Sequence, residues 1–178
     1  MKKYKTGLVL GRFQTFHNGH EYIINKALEI CDKVLVFIGS SDKFGTIENP
    51  FSYELREKLI KKIYGNEIVK NKLVISPLAD LGAGNVTKWG DYLFREAGKI
   101  FGEVDCIVYG EESKCKSWFS ERIKKSVNFI VISRDDIKIN ASTLREYMRK
   151  NDFGKWKEFV NKKNWGEFEE MRKILIEI

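Results

Sequence analysis

Short apolar runs alternate with longer segments of helical periodicity along most of this chain, and this alternation is what most restricts its fold. Five runs carry β-branched residues and end near Gly, Asp or Ser, as strands buried on both faces of a parallel sheet do. They are Tyr4–Leu10, Val34–Gly39, Leu73–Ser76, Val104–Tyr109 and Asn128–Ser133. The segments between them repeat apolar residues every three or four positions, which is typical of helices with one buried face. This order predicts an α/β fold, a Rossmann-like doubly wound parallel sheet of about five strands with helices on both faces.

The last part of the chain differs, because residues 141–178 show only helical patterning. We expect two or three C-terminal helices there, packed on the end of the sheet and separated at Gly154 and at the stretch NKKNWG. A length of 178 residues suits one domain, which can bury roughly 70% of the surface that its unfolded chain exposes. The expectation is therefore a single domain over residues 1–178, with the α/β core in residues 1–140.

The composition excludes several classes of protein. Hydrophobic residues make up 43% and charged residues 32% of the chain, and no apolar run approaches the ~20 residues of a membrane helix. We expect a cytoplasmic protein that does not enter a membrane. An odd number of cysteines without CxxC spacing argues against both a disulfide framework and a zinc site. The cysteines are Cys31, Cys106 and Cys115.

The formal net charge of +7 favours anionic partners. Its lysines are scattered among glutamates, and no nucleic-acid-binding motif is recognisable, so nucleic acid is not the expected partner. Nucleotides and other phosphate compounds remain as possible anionic partners. Apolar C-terminal residues such as Trp156 and Phe168 could pack internally or against a second subunit, so the sequence is compatible with a homo-oligomer.

Both histidines of the chain lie in the stretch GRFQTFHNGH, which directly follows the first predicted strand. Ligands of open parallel sheets bind at the carboxyl ends of the strands, near the point where the strand order reverses. Gly11 allows the backbone to turn and approach a ligand, and Gly19 shapes the start of the next helix. His17 and His20 would then lie beside a helix N-terminus, where N–H groups and the helix dipole favour phosphate. The alternative is that one histidine caps the helix while the other lies on the surface.

This stretch resembles the HxGH signature of the nucleotidyltransferase superfamily, and its ten-residue form resembles the GRFQPFHxGH of nicotinamide mononucleotide (NMN) adenylyltransferases. Three further stretches agree in order and spacing. TIENPFSYELR ending at Arg56 resembles T-x-x-N-P-F-(S/T)-x-x-x-R, NVTKW from Asn85 to Trp89 resembles N-D-x-x-W, and NASTLR from Asn140 to Arg145 resembles S-x-T-x-x-R. Thr15 stands where the family usually has proline, and Asn140 and Ser142 replace Ser and Thr of the last signature.

The resemblance implies that the phosphate of NMN attacks ATP directly, which releases pyrophosphate and forms NAD without an enzyme nucleophile. His17 and His20 would contact the ATP phosphates and stabilise charge at the reacting centre. Arg145 would hold the β- and γ-phosphates with help from the Ser142 hydroxyl. The other residues that the resemblance assigns to ATP are Gly11, Arg12, Phe13, Gly19, Gly110, Asn140 and Thr143.

For the second substrate, the resemblance implies that Trp89 stacks near the nicotinamide ring, with Asn85 close by and Arg56 in reach of the NMN phosphate. Each has a simpler interpretation: Trp89 as a core aromatic, Arg56 as a solvated helix arginine, and Gly110 as a glycine that merely ends a strand. Mg²⁺ is expected to arrive on ATP. The sequence offers no dedicated carboxylate cage for a metal.

Two rival functions stay open at the level of sequence. One is adenylyl or cytidylyl transfer to another phosphorylated acceptor, such as nicotinate mononucleotide, phosphopantetheine or FMN. The other is a non-catalytic nucleotide-binding regulator, although the intact His17, His20 and Arg145 argue against it.

Overall fold

Five strands form one sheet in the computed structural model, which describes residues 2–82, 86–110, 118–133 and 139–178. The strands are β1 (Tyr4–Gly11), β2 (Cys31–Gly39), β3 (Leu73–Leu78), β4 (Cys106–Gly110) and β5 (Asn128–Ile132). Their spatial order is β3-β2-β1-β4-β5, and all neighbouring pairs are parallel. The predicted Rossmann-like parallel sheet is confirmed. Its order reverses between β1 and β4, so the loop after β1 lies at the point where such sheets bind ligands.

Helices cover both faces of this sheet, as predicted. The crossover helices are α1 (Asn18–Ile30), α2 (Tyr53–Val69), α3 (Val86–Phe101) and α4 (Glu121–Ser126). They are followed by α5 (Ala141–Arg149), α6 (Phe153–Lys157), a 3₁₀ helix (Lys162–Glu167) and α7 (Phe168–Glu177). One core packs α1, α2 and the C-terminal helices on one face of the sheet, and a second core packs α3 and α4 on the other. Within the described ranges, no helix is long and apolar enough to span a membrane.

The C-terminal segment departs from its predicted pattern in two places. Gly154 does not break a helix, because α6 runs through it and begins where the Asp152 side chain accepts a hydrogen bond from the Lys155 N–H. The chain turns three residues before Gly154, at Asn151, whose φ is +56°. Helix α6 then ends at Lys157, well short of the periodic run.

Asparagine side chains hold the 3₁₀ helix that follows α6. Asn161 caps the 3₁₀ helix by accepting from the Lys163 N–H at 3.1 Å, and the buried Asn164 donates to the Leu59 carbonyl at 3.1 Å. Such side chains compete with the backbone for hydrogen bonds and favour caps and turns. The Leu59 partner is 105 residues away in sequence, so no local pattern could indicate it.

Two of the three cysteines meet at the amino end of the sheet. The Cys31 and Cys106 sulfurs lie 3.4 Å apart as free, buried thiols, across Gly7 of β1. A Cβ on Gly7 would lie 2.5 Å from the Cys31 Sγ, so only glycine permits the two side chains to meet there. Cys115 lies outside the described residues.

Candidate active site

The loop after β1 folds back into the protein. Phe13, Gln14, Thr15, Phe16 and His17 are each 3% exposed or less. Phe13 has a φ of +53°, which turns its ring back under the end of the strand, where a Cβ on the preceding glycine would lie 2.8 Å from the ring. A loop with this much buried apolar surface is held by packing.

Hydrogen bonds fix the same loop to the segment that precedes α2. The Gln14 amide donates to the Phe51 carbonyl at 3.0 Å, and its oxygen accepts from the Phe51 N–H at 2.9 Å. Both partners are buried, and this pair of hydrogen bonds satisfies polar groups of the amide side chain and of the Phe51 backbone together. The two stretches that the sequence singled out, GRFQTFHNGH and NPF, are therefore one structural unit.

The two histidines lie together at the start of α1. His17 is its N-cap, with Nδ1 accepting from the Gly19 N–H at 3.1 Å. Because Nδ1 accepts, the proton of the neutral imidazole is on Nε2, which makes Nε2 a donor. The His20 ring stacks on His17 with centroids 3.8 Å apart and planes 27° apart.

His17 thus caps the helix, as the simpler interpretation expected, but His20 is not an isolated surface residue. Besides His17 it contacts Phe13, at 4.9 Å between centroids, and Phe16, at 5.6 Å. Three rings therefore limit the rotation of His20. Phe13, which the resemblance assigned to ATP, is buried and packs against this histidine, so the contacts favour a supporting role for it.

Arg145 reaches the first loop from α5. One of its terminal nitrogens donates to the Gln14 carbonyl and the other to the Ser142 Oγ, the latter at 3.1 Å. Burial lowers the pKa of Arg145, and the charges of Arg149 and Arg12 lower it further. Both of these charges repel that of Arg145, and a polyanion would relieve the repulsion.

The start of α5 is built by the residues predicted to contact phosphate. The Asn140 side chain caps the helix by accepting from the Thr143 N–H at 2.9 Å, and the Thr143 hydroxyl donates to the same oxygen at 3.2 Å. The Ser142 Oγ accepts from Arg145. Their side chains therefore shape the helix start and orient Arg145, and their contact with ATP stays a prediction.

The predicted mononucleotide side of the site contains a tryptophan pair. Trp89, on α3, lies edge-to-face with Trp118, with centroids 5.3 Å apart and planes 68° apart. Both are partly buried against the core beneath α3 and α4. The sequence analysis did not single out Trp118 as a neighbour of Trp89. Asn85 lies outside the described residues.

Gly110 ends β4, buried and paired with Ile132 of β5. Its neighbour β1 carries the histidine loop, so Gly110 lies on the other side of the point where strand order reverses. The loop that follows it, residues 111–117, is outside the described part of the chain. Contact of Gly110 with adenine or ribose stays a prediction.

Arg56 is not a solvated helix residue, because its side chain is fully buried. It donates to four backbone carbonyls, those of Arg12, Gly39, Ser40 and Ser52, at 2.8–3.1 Å. Burial lowers its pKa, but a guanidinium keeps its charge in proteins. These contacts favour a structural role over the predicted contact with the mononucleotide phosphate.

A second polar cluster lies beside Arg56, where β2 and β3 end, and sequence reasoning did not find it. The Ser40 hydroxyl donates to Asp80 at 3.0 Å, and the Lys43 ammonium pairs with the other Asp80 oxygen at 2.6 Å. The Asp80 N–H in turn donates to Asp42 at 3.0 Å. The loops after β2 and β3 are thereby tied together at the same edge of the sheet as the histidines.

The side chains around the first loop are arginines and histidines, which suit phosphates better than a hard cation that prefers oxygen ligands. Among the described residues, no group of three or more His, Cys, Asp or Glu side chains could hold a metal ion.

The parallel sheet, the histidine pair at its switch point and an arginine reaching that pair from a late helix define a nucleotide-binding α/β protein of the nucleotidyltransferase type. The cytidylyltransferase-like family matches residues 8–165. This chain belongs to that family, and the resemblance noted in its sequence is confirmed.

Relatives with assigned names agree with this membership. The chain is 33% identical over 159 residues to the nicotinamide-nucleotide adenylyltransferase of Thermococcus kodakarensis, covering 88% of this chain and 78% of that protein. It is 29% identical over 159 residues to the enzyme of the same name from Saccharolobus solfataricus, covering 88% and 85%.

Solved structures show the same fold. A bifunctional NMN adenylyltransferase/ADP ribose pyrophosphatase from Francisella tularensis matches with a TM-score of 0.74 and 27% identity over 97% of this chain. The structure of that protein complexed with AMP and a manganese ion matches with a TM-score of 0.72 and 24% identity over 98%. Our chain spans about half the length of these proteins, 50% and 52% respectively.

Proposed function

We propose that this protein transfers the adenylyl group of ATP to NMN and forms NAD and pyrophosphate. The observation that carries the proposal is the contact of Arg145 with the loop that presents His17 and His20. Two signatures far apart in sequence thereby supply an arginine and two imidazoles to one place at the switch point of the sheet. The choice of NMN as acceptor is supported by the names of relatives that are about 30% identical.

The reaction needs no enzyme nucleophile. A phosphate oxygen of NMN attacks the α-phosphorus of ATP and forms a new P–O bond. The bond from that phosphorus to the oxygen bridging to the β-phosphorus breaks, and pyrophosphate leaves with the electron pair. Catalysis of this kind rests on positioning and on stabilising the charge that develops on phosphate oxygens.

The residues of the first loop and of α5 suit that task. His17 presents an Nε2 donor because its Nδ1 caps the helix, and His20 is oriented by stacking against it. Arg145 and the exposed Arg12 add positive charge for the β- and γ-phosphates. Preorganised donors of this sort act in the transition state without having to reorient.

A divalent ion, for which we propose Mg²⁺, enters as part of the ATP substrate and partly neutralises its phosphates. The manganese ion with AMP in the related Francisella tularensis structure supports a divalent ion in this family. The arginines and histidines of this chain would bind phosphate oxygens that the ion leaves available.

Trp89 is proposed to contact the nicotinamide ring, with Asn85 nearby. A cationic pyridinium over an indole face is favourable by roughly 0.5–2 kcal/mol. Trp118 fixes one edge of Trp89, so the tryptophan that would meet the ring is already held in place.

The acceptor is tested by measuring pyrophosphate release from MgATP with four compounds in parallel: NMN, nicotinate mononucleotide, phosphopantetheine and FMN. We expect the highest kcat/KM with NMN. Release only with phosphopantetheine or FMN would keep the adenylyl-transfer chemistry but contradict the acceptor. No release with any of them, from a protein that binds ATP, would favour a non-catalytic nucleotide-binding protein.

A further inference from the structure

Arg56 is a charged side chain with no exposed surface, and none of its four hydrogen-bond partners is a carboxylate. Burying a charge is costly unless hydrogen bonds satisfy it. Here backbone carbonyls do so, and their positions show what the arginine connects.

The four carbonyls belong to three segments. Arg12 directly follows β1 and begins the loop that leads to His17, while Gly39 and Ser40 are the last residue of β2 and the first residue after it. Ser52 is the N-cap of α2. One guanidinium therefore joins the carboxyl ends of the two neighbouring strands β1 and β2 to the start of the helix that carries it.

Two of these attachment points lead to groups of the candidate site. The Arg12 carbonyl lies at the base of the first loop, and the Ser40 hydroxyl holds Asp80 at 3.0 Å. The same loop is held a second time, by the Gln14–Phe51 pair, two residues further along. The fork geometry of Arg56 can serve several acceptors at once, which an ammonium group cannot do in one plane.

We infer that Arg56 is a positioning residue, which sets the first loop and the loop after β2 relative to each other instead of binding the phosphate of the acceptor. Its effect on turnover rests on the proposed adenylyl transfer, whereas its effect on the two loops does not. A displacement of about 1 Å in a catalytic group can cost 10²-fold in rate. The inference therefore predicts a large loss of kcat from a residue that touches neither substrate.

The chemistry of the substitution separates positioning from phosphate binding. Lysine is itself a good phosphate ligand as a point charge, so Arg56→Lys would retain most activity if the role were phosphate binding. Lysine cannot make the four carbonyl contacts, so the same variant fails if the role is positioning. Arg56→Met removes the charge as well. Leu59→Ala, one turn further along α2 and fully buried in the core, is the matched control for loss of stability.

The experiment has two readouts on the wild type and these three variants. Steady-state kinetics give kcat and both KM values, at a temperature well below every unfolding midpoint. Hydrogen–deuterium exchange on the substrate-free protein reports on peptides that cover residues 11–17 and 39–43. We expect Arg56→Lys and Arg56→Met to lower kcat by about 10²-fold and to raise exchange in both peptides, while Leu59→Ala keeps near wild-type kcat.

Two outcomes would overturn the inference. One is Arg56→Lys with near wild-type kcat and exchange, with only the KM for the mononucleotide raised in Arg56→Met, which would restore the phosphate contact. The other is an equal loss of kcat and protection in Leu59→Ala, which would reduce the effect to general destabilisation. If the wild type itself shows no turnover, the proposed function fails, and the exchange data alone still decide the role of Arg56.

Discussion

At the scale of single residues, the two ring nitrogens of His17 have different roles. Its Nδ1 caps α1, and this contact leaves Nε2 as the donor beside His20. A capping serine or asparagine would serve the helix equally well. The histidine at this position is therefore explained by the second nitrogen, and the two duties can be separated by mutation.

Replacing His17 by Ala and by Asn separates them. His17→Ala loses the cap and should lower the free energy of unfolding by about 0.5–2 kcal/mol, whereas His17→Asn should restore it through its side-chain oxygen. Both variants should lose turnover. Denaturant unfolding and steady-state kinetics measure the two effects, and an active His17→Asn variant would show that Nε2 has no part in the reaction.

His20 bears on chemistry more than on stability, since it lies partly exposed at the edge of the aromatic cluster. We expect His20→Ala to lower kcat by about 10²–10³, the usual loss for one preorganised donor to developing charge. Its thermal midpoint should stay close to that of the wild type. Near wild-type turnover in this folded variant would remove His20 from the mechanism.

Trp89 tests the assignment of the two substrate sites. Trp89→Ala should raise the KM for the mononucleotide and leave the KM for ATP little changed, because the loss is one of binding to a single substrate. Trp89→Phe, which keeps an aromatic face, should recover part of the effect. A change confined to the KM for ATP would mean that the two sites are assigned the wrong way round.

At the scale of elements, the C-terminal helices are part of the site's support. The Asn18 N–H, in the first turn of α1, donates to the Phe159 carbonyl at 2.8 Å, and the buried Thr15 hydroxyl lies 3.7 Å from the Met171 sulfur of α7. The 3₁₀ helix is held to α2 by Glu167, which forms ion pairs with both Lys58 and Lys62.

Glu167 makes this support sensitive to acid. Burial raises the pKa of its carboxyl group, but hydrogen bonds from Lys58 and Lys62 outweigh burial and bring the pKa down to about 2. The folded carboxyl thus has a lower pKa than the unfolded one, at about 4.3. The stability contributed by the Glu167 carboxylate is complete at pH values well above the unfolded pKa of about 4.3, and it is lost as the pH falls toward the folded pKa of about 2.

The matched variant is Glu167→Gln, which keeps the shape and removes the charge. At pH 7 we expect it to be less stable by about 1 kcal/mol, because both lysines are partly exposed and solvent weakens the pairs. The difference from the wild type should shrink as the pH falls below about 4.3. Urea unfolding at several pH values measures it, and a difference that does not change with pH would contradict the electrostatic account.

Sequence patterns predicted the elements of the sheet well and the C-terminal helices less well. The strand predicted over Val34–Gly39 has buried faces, which its local run of apolar residues indicates. The observed strand β2 differs only in beginning three residues earlier, at Cys31. The position of the 3₁₀ helix after α6 involves a hydrogen bond from Asn164 to a partner on α2 instead. The candidate site shows the same limit, since a motif can indicate that Arg56 matters but cannot show that four distant carbonyls surround it.

At the scale of the whole molecule, the parallel sheet brings together groups that are far apart in sequence. Arg145 contacts a loop residue 131 positions earlier, and it does so beside the boundary between β1 and β4, where the strand order reverses. The single-domain organisation over residues 1–178 and any self-association remain predictions. The convergence of both signatures makes adenylyl transfer the activity to measure.

That activity is measured most directly as NAD formation from NMN and MgATP by the purified wild-type chain, followed by absorbance after coupling to a dehydrogenase. Our account predicts continuous formation of NAD with a kcat on the order of 1–10³ s⁻¹, the usual range for enzymes, and one pyrophosphate for each NAD. A folded protein that binds ATP but forms no NAD from NMN would contradict it.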